Sequence, residues 1–332
     1  MEIGKRYGRA KKDGYCEKFR AMLNYVKMKK CKAVIFSLIL LLPKANAQFL
    51  WQSLDAPNSS GTFIDGIEGN NLVGSFNDSS TPANATKGFL YDGSTWTVLE
   101  APGAIYTRAL KISGDRIVGF FQDSGFVDHG FIYQNGVWTT LNHPESQGLG
   151  TQIRAISGSS VIGTFNNSQG GSTPFIYDGN SWTTLLSAPN TYTVPNGISG
   201  SVIVGYDYGN WPNGNLNGFV KTETGWTLLN FPGSGDTALH DIDGNNIVGD
   251  YTNTAGYWLS LGLLYNGTEW TTLQMPDSIH TGARGIDGNK IVGEYADSNN
   301  VYRGFILTVP EPSAISFLVF GGVVVALGRR KK

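Results

Sequence analysis

The chain has 332 residues, of which 40% are hydrophobic, 12% aromatic and 15% charged, and it contains 44 glycines. Its net charge of −1 hides an asymmetry, because residues 48–308 hold 9 basic and 22 acidic residues, a net charge of −13. An acidic domain repels nucleic acid, so the composition argues against nucleic-acid binding. Many glycines and aromatic residues without a long helical period favour an all-β fold of short strands and tight turns.

The N-terminal region carries the features of an export signal. A basic start at residues 28–32 precedes a largely apolar run of ten residues at 33–42, and a small-x-small site ends at Ala47 before Gln48. Ten apolar residues are too few to span a membrane. We therefore predict a signal peptide over residues 28–47, which uses the Sec translocon and is cut by signal peptidase between Ala47 and Gln48.

The residues before this signal are explained in one of two ways. Residues 1–27 are either a wrongly assigned upstream start or an unusually long basic leader. Both cysteines, Cys16 and Cys31, precede the cleavage site. The exported protein therefore has no disulfide and no cysteine-based metal site, and the sequence predicts neither a metal nor a cofactor.

The exported part of the chain is a repeat. A tryptophan recurs at spacings of 45, 42, 44, 44 and 44 residues, accompanied by a glycine after an Ile-Val-like pair and by an aromatic or leucine in a G-F-x-Y pattern. The tryptophans are Trp51, Trp96, Trp138, Trp182, Trp226 and Trp270. The glycines are Gly74, Gly119, Gly163, Gly205, Gly249 and Gly293. Three marks in one period of ~44 residues indicate a β-propeller.

Each repeat reads as four strands, here called a, b, c and d. Tight a–b and c–d turns such as Gly288-Asn289 and Asn135-Gly136 separate the strands, and longer b–c and d–a loops alternate with them. The first tryptophan strand, at residues 49–54, has no strands a to c before it, and the last repeat has no tryptophan strand. A closed ring explains the split repeat, because the N-terminal strand completes the last blade. We predict one six-bladed propeller over residues 48–308, with the repeated aromatics as structural core.

The repeats resemble extracellular HAF-type repeats in their I-x-G-x-x-I-V-G pattern and in Asp128-His129-Gly130-Phe131-Ile132-Tyr133. This resemblance implies an exported β-repeat domain and no particular activity. The turn Asp92-Gly93-Ser94-Thr95-Trp96 also looks like the Asp-box hairpin of sialidase propellers, although it lacks the residue between Asp and Gly. We interpret the likeness as a hairpin geometry common to both kinds of propeller, and not as evidence of sialidase activity.

The b–c loops carry aromatics that the repeat does not require. Flat rings among amides and carboxylates can stack on sugar faces and hydrogen-bond hydroxyls, although the same residues can simply cap blades and fill turns. The candidate ligand-binding residues are Phe126, Tyr208, Trp211, Tyr257, Trp258 and Tyr302.

Catalytic signals are weak. No serine-nucleophile motif, metal-spaced histidine pair, phosphate loop or calcium loop occurs, so the sequence predicts no catalytic residue. Carboxylates for glycoside hydrolysis could converge at the ring centre from strands a. The strand a aspartates Asp65, Asp241 and Asp287 occupy different registers, which argues against a ring of carboxylates.

The C-terminus combines three ordered elements. Pro310, Glu311 and Pro312 precede an apolar run from Ala314 to Leu327, and the chain ends in four cations. Residues 309–332 thus resemble the PEP-CTERM sorting signal of Gram-negative bacteria. The resemblance implies a transmembrane sorting helix, transient anchoring in the inner membrane and processing by an exosortase. A plain membrane anchor is the alternative.

Together these features predict an exported, non-enzymatic protein of the cell surface, outer envelope or extracellular matrix. Its propeller would bind glycan, such as exopolysaccharide, or protein through the long-loop face. The alternatives are a polysaccharide hydrolase or lyase, and a spacer that binds no ligand. An enzyme requires acid and base groups that converge in one central pocket, whereas a binding module requires exposed aromatics on one rim.

Overall fold

The computed structural model describes residues 49–81, 85–168, 171–185, 192–209, 214–252 and 260–310. These residues form six antiparallel sheets of four strands each. The inner strands of successive sheets touch, and the last inner strand touches the first, so the sheets close into a ring. The predicted six-bladed propeller is confirmed. Among the described residues no helix is long and apolar enough to cross a membrane, and residues 1–48 and 311–332 lie outside them.

The strands follow the predicted a–b–c–d order in every blade. A single strand, β1 (Leu50–Leu54), precedes blade 1, which contains β2 (Ser59–Glu68), β3 (Asn71–Asp78), β4 (Thr86–Tyr91) and β5 (Trp96–Leu99). Blade 2 contains β6 (Tyr106–Ser113), β7 (Arg116–Gln122), β8 (Asp128–Gln134) and β9 (Val137–Thr140). Blade 3, which follows a 3-10 turn at Pro144–Ser146, contains β10 (Thr151–Ser157), β11 (Ser160–Asn166), β12 (Ser172–Tyr177) and β13 (Trp182–Thr184).

The second half of the ring repeats this order. Blade 4 contains β14 (Thr193–Ser199), β15 (Val202–Tyr208), β16 (Leu216–Thr222) and β17 (Gly225–Leu228). Blade 5 contains β18 (Asp236–Asp243), β19 (Asn246–Thr252), β20 (Leu261–Tyr265) and β21 (Trp270–Leu273). Blade 6 contains β22 (His280–Asp287), β23 (Lys290–Ala296) and β24 (Tyr302–Thr308), and β1 is its outer strand.

Strand β1 closes the ring as the split repeat predicts. It pairs antiparallel with β24, with Trp51 opposite Leu307. The Trp51 ring packs edge-on against Phe305 at a centroid distance of 5.0 Å. The ends of the propeller are thereby joined in one sheet, and β24 is not left with an open edge.

The two faces of the ring differ in the length of their loops. Every a–b turn has two central residues, of which the first is a glycine with φ between 57° and 62°, as at Gly114 and Gly288. A positive φ at only the first of the two central residues defines a type II′ turn. The twist of this turn matches the twist of the flanking strands. The b–c and d–a loops lie on the opposite face, which we call the long-loop face.

The repeated aromatics form the core, as predicted. The strand c phenylalanines, such as Phe131 and Phe175, are fully buried. Each packs edge-on against the strand d tryptophan of its own blade, with centroid distances of 4.8 Å for Phe131–Trp138 and 4.9 Å for Phe175–Trp182. The tryptophans are only half-buried, because strand d is the outermost strand of each blade.

Candidate functional site

A cavity of about 440 Å³ lies at the centre of the ring and opens on the long-loop face. We call it the central pocket. Inner strands from all six blades line it, and strands β15, β23 and β24 add one residue each. Its volume falls within the range of ~300–1,000 Å³ that is usual for small-molecule sites.

The same irregularity of the backbone places a residue at this pocket in every blade. Each inner strand carries a β-bulge, at which one residue has no partner in the register with strand b. A bulge turns a side chain out of the regular alternation of the strand. The six bulge residues all line the central pocket, and they are Asp65, Leu110, Arg154, Asn196, His240 and Arg284.

Strand b supplies a second set of polar groups where strand a leaves room. Asp250 and Glu294 follow the repeated glycine of their blades, and they pair in register with Ala238 and Gly282. Because these two partners have small or no side chains, they do not cover the carboxylates. Glu294 lines the pocket, and Asp250 reaches the pocket residues His240 and Arg284.

The floor of the pocket is a buried ion pair across the ring. Lys111 Nζ lies 2.8 Å from Asp241 Oδ2 and also donates to the carbonyl oxygens of Asp65 (2.8 Å) and Arg284 (2.6 Å). A smaller cavity of about 130 Å³, lined by Lys111, Asp241 and Asp287 among others, lies on the far side of the pair. The pair therefore separates two cavities on the ring axis.

The wall formed by blades 5 and 6 is a network of charges. Arg284 Nη2 lies 2.6 Å from Glu294 Oε1 and 3.3 Å from Asp250 Oδ2. His240 Nε2 lies 3.4 Å from Asp250, and Arg284 Nη1 contacts the same nitrogen. His280 Nε2 lies 3.7 Å from Glu294.

Both carboxyl groups of this network stay ionised. Burial by itself raises the pKa of Glu294, but the charge of Arg284 and hydrogen bonds from His280 and Arg284 lower this pKa well below its usual range. The pKa of Asp250 is lowered in the same way, against burial, by Arg284 and His240. The pKa of His240 is lowered by burial and by the charge of Arg284. Two carboxylates, one guanidinium and the neutral imidazole of His240 thus share this wall with His280.

Arginines of blades 2 and 3 form the opposite wall. Arg108 Nη2 donates to both oxygens of Asp65, at 3.0 and 3.2 Å, and the charge of Asp65 raises the pKa of Arg108. Arg154 Nη2 donates to Gln152 Oε1 at 2.7 Å. The Nε atoms of Arg108 and Arg154 are buried and have no hydrogen-bond partner.

Aromatic rings complete the rim. Phe63 and Tyr302 line the pocket side by side, with ring centroids 5.5 Å apart, and Tyr302 also lies 5.7 Å from the ring of His280. Tyr206 lines the wall of blade 4, and Tyr208 packs edge-on against it at 5.6 Å.

The six predicted ligand-binding aromatics have different positions. Tyr302 lines the pocket, and Tyr208 adjoins it through Tyr206. Phe126 is 74% exposed at the tip of the loop between β7 and β8, away from the pocket lining. The other three, Trp211, Tyr257 and Trp258, lie outside the described residues. The same holds for Ala47, Gln48, Glu311 and Pro312, whereas Pro310 follows β24 as unpaired chain.

The strand a aspartates were considered from the sequence, but the other charged residues of the pocket were not predicted. Asp65 does face it, Asp241 forms the floor and Asp287 lines the small cavity on the short-turn face. Arg154, His240 and Arg284 come from the bulge positions, and Asp250 and Glu294 come from strand b. Arg108 and Lys111 occupy regularly paired positions of β6. A signal was present, since an alignment of the six repeats shows a column of unlike and mostly polar residues two positions before an invariant isoleucine. Among the described residues no group of His, Asp and Glu has the arrangement of a metal site.

Comparisons with known proteins identify the architecture alone. No family model matches the chain, and no curated protein matches it. The lectin of Aleuria aurantia, solved as a mutant in complex with α-methyl-L-fucoside, aligns with a TM-score of 0.50 and 13% identity over 77% of this chain and 93% of that one. A second structure of this lectin, described as a six-bladed β-propeller with a novel fucose recognition mode, aligns with a TM-score of 0.50 and 14% identity over 77% and 93%.

A third solved structure is the propeller domain of the Trilobed protease from Pyrococcus furiosus. It aligns with a TM-score of 0.49 and 8% identity, over 75% of this chain and 81% of that one. Because every identity is so low, the likeness to the lectins establishes the six-bladed fold and no activity.

Proposed function

We propose that this protein is an exported glycan-binding propeller without catalytic activity, which holds sugar in the central pocket of its long-loop face. The observation that carries the proposal is the combination of Phe63 and Tyr302 rings with fixed hydrogen-bonding groups around one cavity. Aromatic rings offer apolar faces to a sugar, and convergent polar groups match its hydroxyls. The Aleuria aurantia lectin, with its bound α-methyl-L-fucoside, is a precedent for a sugar site on this fold.

The protonation states favour binding over glycoside hydrolysis. A glycosidase needs one carboxylic acid of raised pKa to protonate the leaving group. The pKa values of Asp250 and Glu294 are instead lowered, since both carboxylates surround Arg284. These groups serve better as permanent hydrogen-bond acceptors than as a general acid.

A lyase is the second candidate, and one observation favours it. His240, with its lowered pKa, and Tyr206 line the pocket together, so a neutral base and a phenol converge there. These two groups meet the criterion for an enzyme stated above, namely that acid and base groups converge in one central pocket. Proton abstraction next to a carboxylate would use groups of this kind.

The location belongs to the same proposal. We infer that the signal peptide at residues 28–47 directs export and that the tail at 309–332 holds the protein in the inner membrane until an exosortase-type enzyme processes it. The propeller then reaches the cell surface or the extracellular matrix. Pro310-Glu311-Pro312 and the terminal cations carry this inference.

A glycan array tests the proposed function. The full-length chain in mild detergent is applied to the array with and without calcium, and the same glycans are incubated with it and analysed for cleavage. Binding that leaves every glycan intact supports the lectin-like role. Cleavage products with unsaturated sugar ends would establish the lyase instead, and a blank array with folded protein would refute both.

A further inference from the structure

The cations around the central pocket differ in whether they already have a counter-charge. Arg108 is held by Asp65, Lys111 by Asp241, and Arg284 by Glu294 and Asp250. Among the described residues that line the pocket, Arg154 is the one cation without a carboxylate within salt-bridge distance.

A relay of side chains holds Arg154 in its position. Gln122 Nε2 donates to Asp128 Oδ1 at 3.1 Å, and Gln152 Nε2 donates to Asp128 Oδ2 at 2.6 Å. The amide of Gln152 is thereby oriented so that its oxygen accepts from Arg154 Nη2 at 2.7 Å. This relay fixes one edge of the guanidinium with a neutral acceptor, so no carboxylate bonds directly to the charge.

Burial makes a guanidinium without a directly bonded carboxylate costly. Arg154 Nε has no hydrogen-bond partner and is inaccessible to water. Burial lowers the pKa of Arg154 and the charge of Arg108 adds to this, whereas Tyr206, Asp65 and Asp128 oppose the shift. A buried charge without a partner is destabilising, so an anion that enters the pocket would gain a charge-assisted hydrogen bond to a group already in place.

We propose that the central pocket selects an acidic sugar at the end of a glycan chain and that Arg154 binds its carboxylate. This inference rests on the proposed glycan-binding function. Arg154 is on blade 3, opposite blade 6 with Tyr302, while Asn196 and Tyr206 of blade 4 stand beside it. A sugar with its carboxylate at Arg154 therefore extends its ring across the axis towards the aromatic rim.

Two features limit the ligand to a chain end with few charges. The Lys111–Asp241 pair closes the floor, so a polymer cannot pass through the ring. The net charge of −13 over residues 48–308 repels long polyanions. A single terminal carboxylate can reach Arg154 with little of this repulsion, since the rest of the chain stays outside the pocket.

The test compares three ligands that differ at one group. Oligosaccharides ending in galacturonic acid, its methyl ester and galactose are titrated into the full-length chain, and into the Arg154→Gln and Arg154→Lys variants. Arg116→Gln is the control, since Arg116 lies at the a–b turn on the opposite face. We expect wild type and Arg116→Gln to bind the acid at least tenfold more tightly than the ester and galactose. Arg154→Gln should lose this preference, and Arg154→Lys should keep part of it.

The outcomes separate this inference from the proposed function. Equal affinity of wild type for acid, ester and galactose would overturn the assignment of Arg154 and leave glycan binding intact. An acid preference that survives in a folded Arg154→Gln variant would also overturn it. No binding to any glycan by folded wild type would overturn both proposals. If Arg154→Gln fails to fold, the wild-type comparison of acid with ester still tests the preference for an acid, and Arg154→Lys tests whether Arg154 provides it.

Discussion

Lys111 and Asp241 meet on the axis of the ring, with Nζ 2.8 Å from Oδ2, although they belong to opposite blades, 2 and 5. Both side chains are buried. The other four blades carry only small residues at the same register, namely Gly66, Ala155, Gly197 and Gly285. A Cβ at Gly66 would lie 2.7 Å from the carbonyl oxygen of Leu110, so the inner strands are in direct contact there. Among the described residues the Lys111–Asp241 pair is the one ion pair that joins two opposite blades.

Removal of one partner of this pair should destabilise the propeller. Lys111→Met leaves the carboxylate of Asp241 buried without a counter-charge, which costs about 3 kcal/mol. Asp241→Asn should cost a similar amount, because it leaves the ammonium unpaired. In the double variant no charge is left unpaired, so its loss should be smaller than the sum of the single losses. Urea denaturation of the four proteins measures the coupling. Additive losses would mean that the two charges do not interact.

The pH dependence of stability should report on His240. Burial and Arg284 lower its pKa below the ordinary value of about 6.5, so the unfolded chain binds more protons than the folded one in this range. The stability linked to neutral His240 is therefore complete above about pH 6.5 and decreases as the pH falls through the lowered pKa. His240→Gln should be less sensitive to a change from pH 7.5 to 5.5. The slope should persist in part, since burial also lowers the pKa of His143. An unchanged slope would contradict the assignment.

The fold could be predicted because the core requires the same residue types at equivalent positions of every blade. Glycine is needed on strand b because a Cβ at Gly119 would lie 2.0 Å from the carbonyl oxygen of Arg108, and every blade repeats this close approach. The edge-on pair of Phe131 and Trp138 also recurs. Because such contacts require one residue type, that residue recurs at a fixed spacing. The recurrence is visible in a single sequence.

The pocket could not be found in the same way, because its residues are those in which the blades differ. The column that contains Asp65, Arg154 and Arg284 has no common residue type. Strict alternation along a strand also gives no indication of which residue a bulge turns towards the axis. The carboxylate of Glu294 fits at the pocket wall only because its register partner is Gly282, where a Cβ would lie 2.6 Å from Glu294 Oε1. This pairing is known only from the folded sheet.

Ring closure depends on the outer strand of blade 6, so Trp51 should matter more than its neighbour. Trp51→Ala removes the edge-on contact with Phe305 and should lower the free energy of unfolding by about 2–3 kcal/mol. Leu50→Ala is the matched control in the same strand, because Leu50 is 68% exposed and should change stability by less than ~0.5 kcal/mol. Urea denaturation compares the two variants. Equal effects would show that β1 does not hold the ring closed.

Tyr302 should contribute to glycan binding through its ring and not through its hydroxyl. The ring stands beside Phe63 at the pocket rim, where it offers a flat surface to a sugar. Tyr302→Ala should raise the Kd for a bound glycan about tenfold, equivalent to ~1.4 kcal/mol, whereas Tyr302→Phe should remain near wild type. Phe126→Ala is the control, since Phe126 is an exposed aromatic of the same face outside the pocket lining. Calorimetric titration of the full-length variants gives the values. A loss of binding with Phe126→Ala and none with Tyr302→Ala would place the sugar on the outer b–c loops instead of in the central pocket.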